Sequence, residues 1–170
     1  YKYGIADGIK DGYLAPLVSK ATSTGFDLGG VARRGGDYIP GALHAACDKD
    51  ETTKAAVDEI VEMGANRKSW LAFCAGVEHA IHVRDEIRSR GITCETITGD
   101  TEPRDRARWL EQYKAGKIRC LTNNSVLTTG FNAPQTDLLA MLRPTLSAGL
   151  YVEMAGRGTR TSPGKDNCLV

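Results

Sequence analysis

From Ser69 onward, short apolar runs alternate with segments of helical period, and this alternation restricts the fold more than any other feature. "SWLAFCA" (69–75), "TCETITG" (93–99), "IRCLTNN" (118–124) and "TDLLAMLR" (136–143) read as strands, and "NCLV" (167–170) opens another. Residues 77–91 carry Val77, Ala80, Ile81 and Ile87 near helical spacing, with Gly91 as the stop. Residues 102–117 read as a helix with Pro103 in its first turn and Gly116 at its end. Residues 145–160 read as a further helix with Thr145 as its cap. Successive strands joined by helices run parallel, because a parallel neighbour needs so long a connection. Nearly unbroken apolar strands are buried on both faces. The expected fold class is therefore α/β, a parallel sheet flanked by helices. Ligands of such sheets gather beyond the carboxyl ends of the strands, here near Ala75, Gly99, Asn123 and Arg143.

The first 68 residues are less regular. Residues 12–20 and 26–34 read as short strands or extended pieces, and 48–64 as a helix that starts near Asp48 or Asp50 and ends at Gly64. The expected division is a lead-in segment over 1–45 and the α/β domain over 46–170. A chain of 170 residues suits one core. Its net charge of +1 excludes a basic coat, so any grip on nucleic acid rests on a local patch. The five cysteines are scattered and odd in number, which fits buried thiols in a reducing cytosol better than a disulfide framework. His44 with Cys47, and His79 with His82, each lack a second ligand pair, so no metal site is expected. No apolar run is long enough to span a bilayer and the first residues do not read as a signal peptide; the expectation is a cytoplasmic chain without a membrane partner.

Phosphate chemistry is suggested by "YVEMAGRGTR" (151–160), where Arg157 and Arg160 stand three apart with Gly156 and Gly158 beside them. On a continuous helix both arginines share a face, and the glycines remove side chains that would block close approach. Two adjacent guanidiniums make sense around an anion. They equally suit a helix end, where cations meet the negative pole of the dipole. The chain has no loop of its own to hold a triphosphate. Gly158 to Lys165 has one residue too many for a Walker A loop, has Asp166 in place of the hydroxyl, and follows a helix instead of a strand. In 123–134, Thr128, Thr129 and Gly130 could offer hydroxyls and amides to a phosphate, or form a plain connection. In 98–106, Asp100 or Thr101 caps a helix or leaves its N-terminus to an anion, and Arg106 is one turn from Glu102.

Taken in order, "SWLAFCAGVEHA", "TITGDTEPRDR", "CLTNNSVLTTGFNAP" and "YVEMAGRGTR" resemble successive motifs of the second RecA-like lobe of superfamily 2 helicases. The likeness is to the DEAD/DEAH-box group that includes RadD-like bacterial and phage DNA-repair helicases and the helicase subunits of restriction enzymes. The resemblance implies a RecA-like sheet and a fragment of a longer protein whose N-terminal RecA-like lobe carries ATP and magnesium. It assigns Arg157 and Arg160 as arginine fingers, with Gly130, Asn132, Glu153 and Gly156 beside the nucleotide. It places Thr128 and Thr129 in a loop that senses both ATP and a strand phosphate. Ala75, Gly76, Gly99, Thr101 and Arg106 fall on the backbone-gripping side, with DNA as the partner and RNA as the alternative. Two positions depart from the family pattern: Glu153 stands where Gln is usual, and Asn132 where Asp is usual. A nonenzymatic binding module that keeps the fold alone is the competing reading.

Overall fold

The computed structural model describes residues 4–127 and 131–170. In chain order the elements are α1 (Ile5–Lys10), β1 (Leu17–Val18), β2 (Arg33–Arg34), β3 (Asp37–Tyr38), α2 (Pro40–Cys47), α3 (Asp50–Met63), β4 (Trp70–Cys74), α4 (Val77–Ser89), β5 (Cys94–Ile97), α5 (Pro103–Lys114), β6 (Cys120–Asn123), β7 (Leu138–Leu142), α6 (Ala148–Ala155) and β8 (Cys168–Leu169). Six strands form one sheet in the order β1-β8-β7-β4-β6-β5, and every neighbouring pair is parallel. Strands β2 and β3 form a separate antiparallel hairpin. The α/β reading from sequence holds, and the layout is that of a RecA-like lobe.

Strand β4 is buried along its whole length and paired on both edges. Its side chains alternate between two layers. Trp70, Ala72 and Cys74 pack with Ala56 and Val57 of α3 and Ala80, Val83 and Ile87 of α4. Leu71 and Phe73 pack with Tyr113 of α5 and Met154 of α6. Registers of Phe73 with Asn123, Asn123 with Ile97, and Cys74 with Leu142 bring four strand ends to one edge of the sheet. Buried polar side chains lie near that edge. Thr122 Oγ1 donates to the Ala80 carbonyl at 2.9 Å, and Asn123 Nδ2 donates to the Ala72 carbonyl at 2.9 Å.

At the opposite edge, charged groups fasten the strand starts. Asp137 accepts the amide protons of Lys68 and Ser69 at 2.9 and 2.8 Å, tying the lead into β4 to that of β7. Arg119 lies over the Trp70 ring at 4.5 Å and donates to the carbonyls of Gly64, Ala65 and Arg67. On the outer strand β5, Arg88 of α4 takes the Cys94 carbonyl at 2.7 Å and meets the Glu95 carboxylate at 2.6 Å.

Three expectations change. The helix read over 145–160 is α6, ending at Ala155; Ser147 caps it, its Oγ accepting from the Leu150 amide at 3.2 Å. Thr145 instead donates to Asp37 at 2.7 Å, which docks the β2–β3 hairpin. The helix ends in a tightened turn, with Gly156 as C-cap and the amides of Arg157 and Gly158 donating to the Met154 and Ala155 carbonyls at 3.1 and 2.9 Å; Gly158 then lies flush on the sheet, where a Cβ would come within 2.7 Å of Cys168 Sγ and 3.0 Å of Leu139 Cδ1. Neither Asp100 nor Thr101 caps α5. Glu102 occupies the cap position, and Thr101 Oγ1 accepts from the Thr98 amide at 2.9 Å. The lead-in also contains helix α1, α2 runs across its expected end at residue 45 to Cys47, and β1 joins the sheet edge through Leu17 opposite Cys168.

Helix α2 and the residues after it meet α4 through three histidines. Asp48 lies 2.9 Å from His82 Nδ1 and 3.6 Å from His44 Nε2, and His82 Nε2 lies 3.1 Å from Asp50. His79 is fully buried, and its Nδ1 accepts the Ala75 amide proton at 3.2 Å. Burial holds its pKa down at about 4, against a partial upward pull from Asp48.

Two stability predictions follow from these contacts. Arg119→Met keeps an apolar stem over Trp70 but leaves three carbonyls without a charged donor. The expected cost is about 1.5–3 kcal/mol, read as a lower urea midpoint at unchanged slope. His79 titrates at about 4 in the fold and near 6.5 when unfolded, so the unfolded chain binds the proton first as pH falls. Its contribution to stability is complete above pH 6.5 and is lost progressively down to about pH 4. His79→Leu should reduce the stability loss between pH 7 and pH 5 by roughly 2 kcal/mol, measured by urea unfolding at both values.

Candidate functional site

The arginines sit in the turn that leaves α6, not on its face. Gly156 is the C-terminal cap residue, and a Cβ there would stand 3.0 Å from the Val152 carbonyl. Thr159 Oγ1 donates back to the Gly156 carbonyl at 3.0 Å, tightening the turn. The next stretch is held by the lead-in: Ala15 donates its amide proton to the Thr159 carbonyl at 2.7 Å, and Leu14 bridges Arg160 in antiparallel sense.

From this turn both guanidiniums reach the loop after β6. Arg157 Nη1 donates to the Phe131 carbonyl at 2.7 Å, and Arg160 Nη1 donates to the same oxygen at 3.1 Å. Arg160 also meets Asn132 Oδ1 at 2.5 Å. Two cations thus converge on one neutral oxygen. Burial and then the charge of Arg160 lower the Arg157 pKa, while Glu153 opposes that shift. Glu153 itself is exposed on α6. Asn132 gives Arg160 a neutral acceptor where a carboxylate would neutralise it.

The other sequence-singled residues lie along the same sheet edge, at the ends of other strands. Ala75 follows β4, is buried, and spends its amide on His79. Gly76 caps α4 against His44, whose Nδ1 would lie 2.4 Å from a Cβ placed there. Gly99 follows β5, with open space where a side chain would be. Thr101 closes the turn back to Thr98, as described above. Arg106 on α5 points its Nη2 at the Val126 carbonyl at 3.4 Å, toward the β6 loop. Thr128, Thr129 and Gly130 lie outside the described residues.

Other residues shape the site as well: Asn123 and Arg143 stand where the sequence places loop starts, whereas Ser125, Leu14 and Ala15 are not singled out there. Asn123 ends β6 and accepts from the Leu127 amide at 3.4 Å while its amide group holds Ala72, so it sets the start of that loop. An amide side chain ending an apolar run was the available signal. Ser125 has a φ of 57° and is contacted by Arg143 from the end of β7. Leu14 and Ala15 carried no local signal, because their role is a pairing with residues 159 and 160.

The arrangement can place positive charge at the sheet edge without a carboxylate on Arg160, which suits a phosphate supplied from outside. The residues fit ATP phosphates in this respect. Among the described residues, no group of three or more His, Cys, Asp or Glu side chains could hold a metal ion. No helix among them is long and apolar enough to cross a membrane.

Several known proteins are similar to this chain in sequence or in fold. A Schizosaccharomyces pombe protein named as a mitochondrial ATP-dependent helicase, irc3, is 36% identical over 126 residues, covering 72% of this chain and 21% of its own length. A Saccharomyces cerevisiae protein named as the ATP-dependent helicase IRC3 is 26% identical over 172 residues, covering 100% of this chain and 25% of its own length. The chain therefore spans about a quarter, or less, of the length of these relatives. In fold it resembles a fragment described as an HsdR subunit of a type I restriction enzyme from Vibrio vulnificus YJ016, with a TM-score of 0.68 and 22% identity over 96% of this chain and 32% of that one. Residues 52–162, which include both arginines and the loops above β4, β5 and β6, match the helicase conserved C-terminal domain, and the chain belongs to that family.

Proposed function

We propose that this chain is the second motor lobe of an ATP-dependent nucleic-acid helicase or translocase, and that Arg157 and Arg160 are its arginine fingers. The observation that carries the reading is the convergence of two guanidiniums on the Phe131 carbonyl at 2.7 and 3.1 Å. Like charges so placed repel each other, and an anion between or beside them relieves that repulsion. ATP, bound with magnesium on another lobe, supplies the phosphoryl transfer. The arginines of this lobe supply charge that is already oriented by backbone contacts, so little reorganisation is needed when the two lobes close.

The nucleic-acid side of the reading rests on the loops above β4, β5 and β6, with Gly76, Gly99, Thr101 and Arg106 beside the backbone; the family resemblance assigns Thr128 and Thr129, which lie outside the described residues, to sensing both ATP and a strand phosphate. Ala75 acts there through its position, since its amide is engaged. Backbone contacts of this sort give affinity without sequence choice. DNA is the proposed partner; stimulation of ATP hydrolysis by RNA but not DNA would reverse that assignment. Buried free cysteines suit a reducing compartment, the cytoplasm in this reading.

The test uses the protein that joins this chain to its nucleotide-holding lobe. Arg160→Ala should lower kcat for ATP hydrolysis by about 10³-fold or more, with nucleic-acid affinity nearly unchanged. An unchanged kcat removes the finger assignment and leaves a binding module. Glu153→Gln should leave kcat equal or higher, because the carboxylate lies near the arginine site and repels phosphate; a large loss of rate contradicts this.

A further inference from the structure

A third cation holds the arginine turn. Lys165 sits in the turn that precedes β8, where its amide donates to the Ser162 carbonyl at 3.1 Å and Gly164 takes a φ of 75°. Its Nζ donates to the carbonyls of Arg160 at 2.7 Å, Gly158 at 2.8 Å and Pro134 at 3.0 Å. An ammonium has three protons and no acceptor capacity, so these contacts use the whole group. Lys165 thus has an internal task, and the near-match to a phosphate loop noted in the sequence has another explanation.

The geometry is specific to the arginine-bearing stretch. Successive carbonyls of this stretch point to different partners. Those of Gly158 and Arg160 face Lys165, while that of Thr159 faces Ala15. The third acceptor, Pro134, lies three residues beyond Phe131, whose carbonyl receives both guanidiniums. One ammonium therefore ties the backbone that carries Arg160 to the loop that receives its side chain.

We infer that Lys165 is a positioning residue for Arg160, fixing the separation between residues 158–160 and the loop 131–134. The inference rests on the proposal that the two arginines serve ATP hydrolysis. Lys165 touches no substrate in this arrangement and acts through Arg160 alone, whose backbone carbonyl it holds. Burial lowers its pKa, in keeping with an ammonium facing carbonyls instead of water.

The test is a double-mutant cycle for ATP hydrolysis in the protein that includes the nucleotide-holding lobe. Lys165→Met should lower kcat roughly 10- to 100-fold, as a misplaced catalytic group does, with KM for ATP and nucleic-acid affinity within about threefold. Lys165→Met combined with Arg160→Ala should be no slower than Arg160→Ala alone, because a residue acting only through another adds nothing once that partner is gone. A wild-type kcat in Lys165→Met overturns the inference, and so do losses that multiply in the double variant. If Lys165→Met does not fold, Lys165→Gln, which keeps two amide donors, is carried through the same cycle with the same two outcomes. If Arg160→Ala alone leaves hydrolysis intact, the finger assignment fails and this inference with it. If Arg160→Ala abolishes hydrolysis and Lys165→Met does not impair it, the lysine inference alone fails.

Discussion

Burial of β4 on both faces and along both edges is the constraint from which the rest follows. A strand so enclosed cannot slip by one residue without turning Leu71 and Phe73 into the layer that Trp70, Ala72 and Cys74 now fill. Its register fixes β6 on one side and β7 on the other, and β6 fixes β5. The loops that leave these strands therefore emerge together at one edge. Asn123 then directs the β6 loop, and Phe131, within it, becomes the point on which the arginines converge. A packing requirement in the core thus determines where charge is displayed.

That charge is concentrated in a chain with a net charge of only +1. Arg157, Arg160 and Lys165 all bond backbone carbonyls within one turn and its neighbouring loop. Carbonyl dipoles orient cations without neutralising them, whereas a carboxylate would cancel the field. In the proposed function the groups that hold the triphosphate lie outside this chain, which spans about a quarter, or less, of the length of its helicase relatives.

The parts legible in the sequence were those governed by local pattern and burial. Strands β4 and β7 stand out as apolar runs because both of their faces are covered. Helices α4 and α5 carried their stops at Gly91 and Gly116, both with positive φ. The end of α6 departs from the helix read over 145–160 because its last turn tightens at Gly156, a change the sequence pattern does not show. Strands β1 and β8 have two residues each and fall inside the stretches 12–20 and 167–170 that read as extended or strand, but their pairing with each other joins distant segments, which no local window registers. Arg157 and Arg160 stood out by spacing, yet the reason they converge is a carbonyl 26 and 29 residues earlier. Lys165 was noticed only as part of a failed phosphate-loop pattern, because its partners at 134, 158 and 160 meet it through tertiary folding.

An open parallel sheet has outermost strands whose backbone groups can recruit a strand from another molecule, the route to fibrous self-association. Here β5 is only four residues long, and Arg88 already occupies its Cys94 carbonyl while pairing with Glu95. An incoming strand would have to displace that guanidinium and strip water from an ion pair. The Arg88–Glu95 contact, worth little to the stability of a single molecule, thus also raises the cost of adding a strand at this margin.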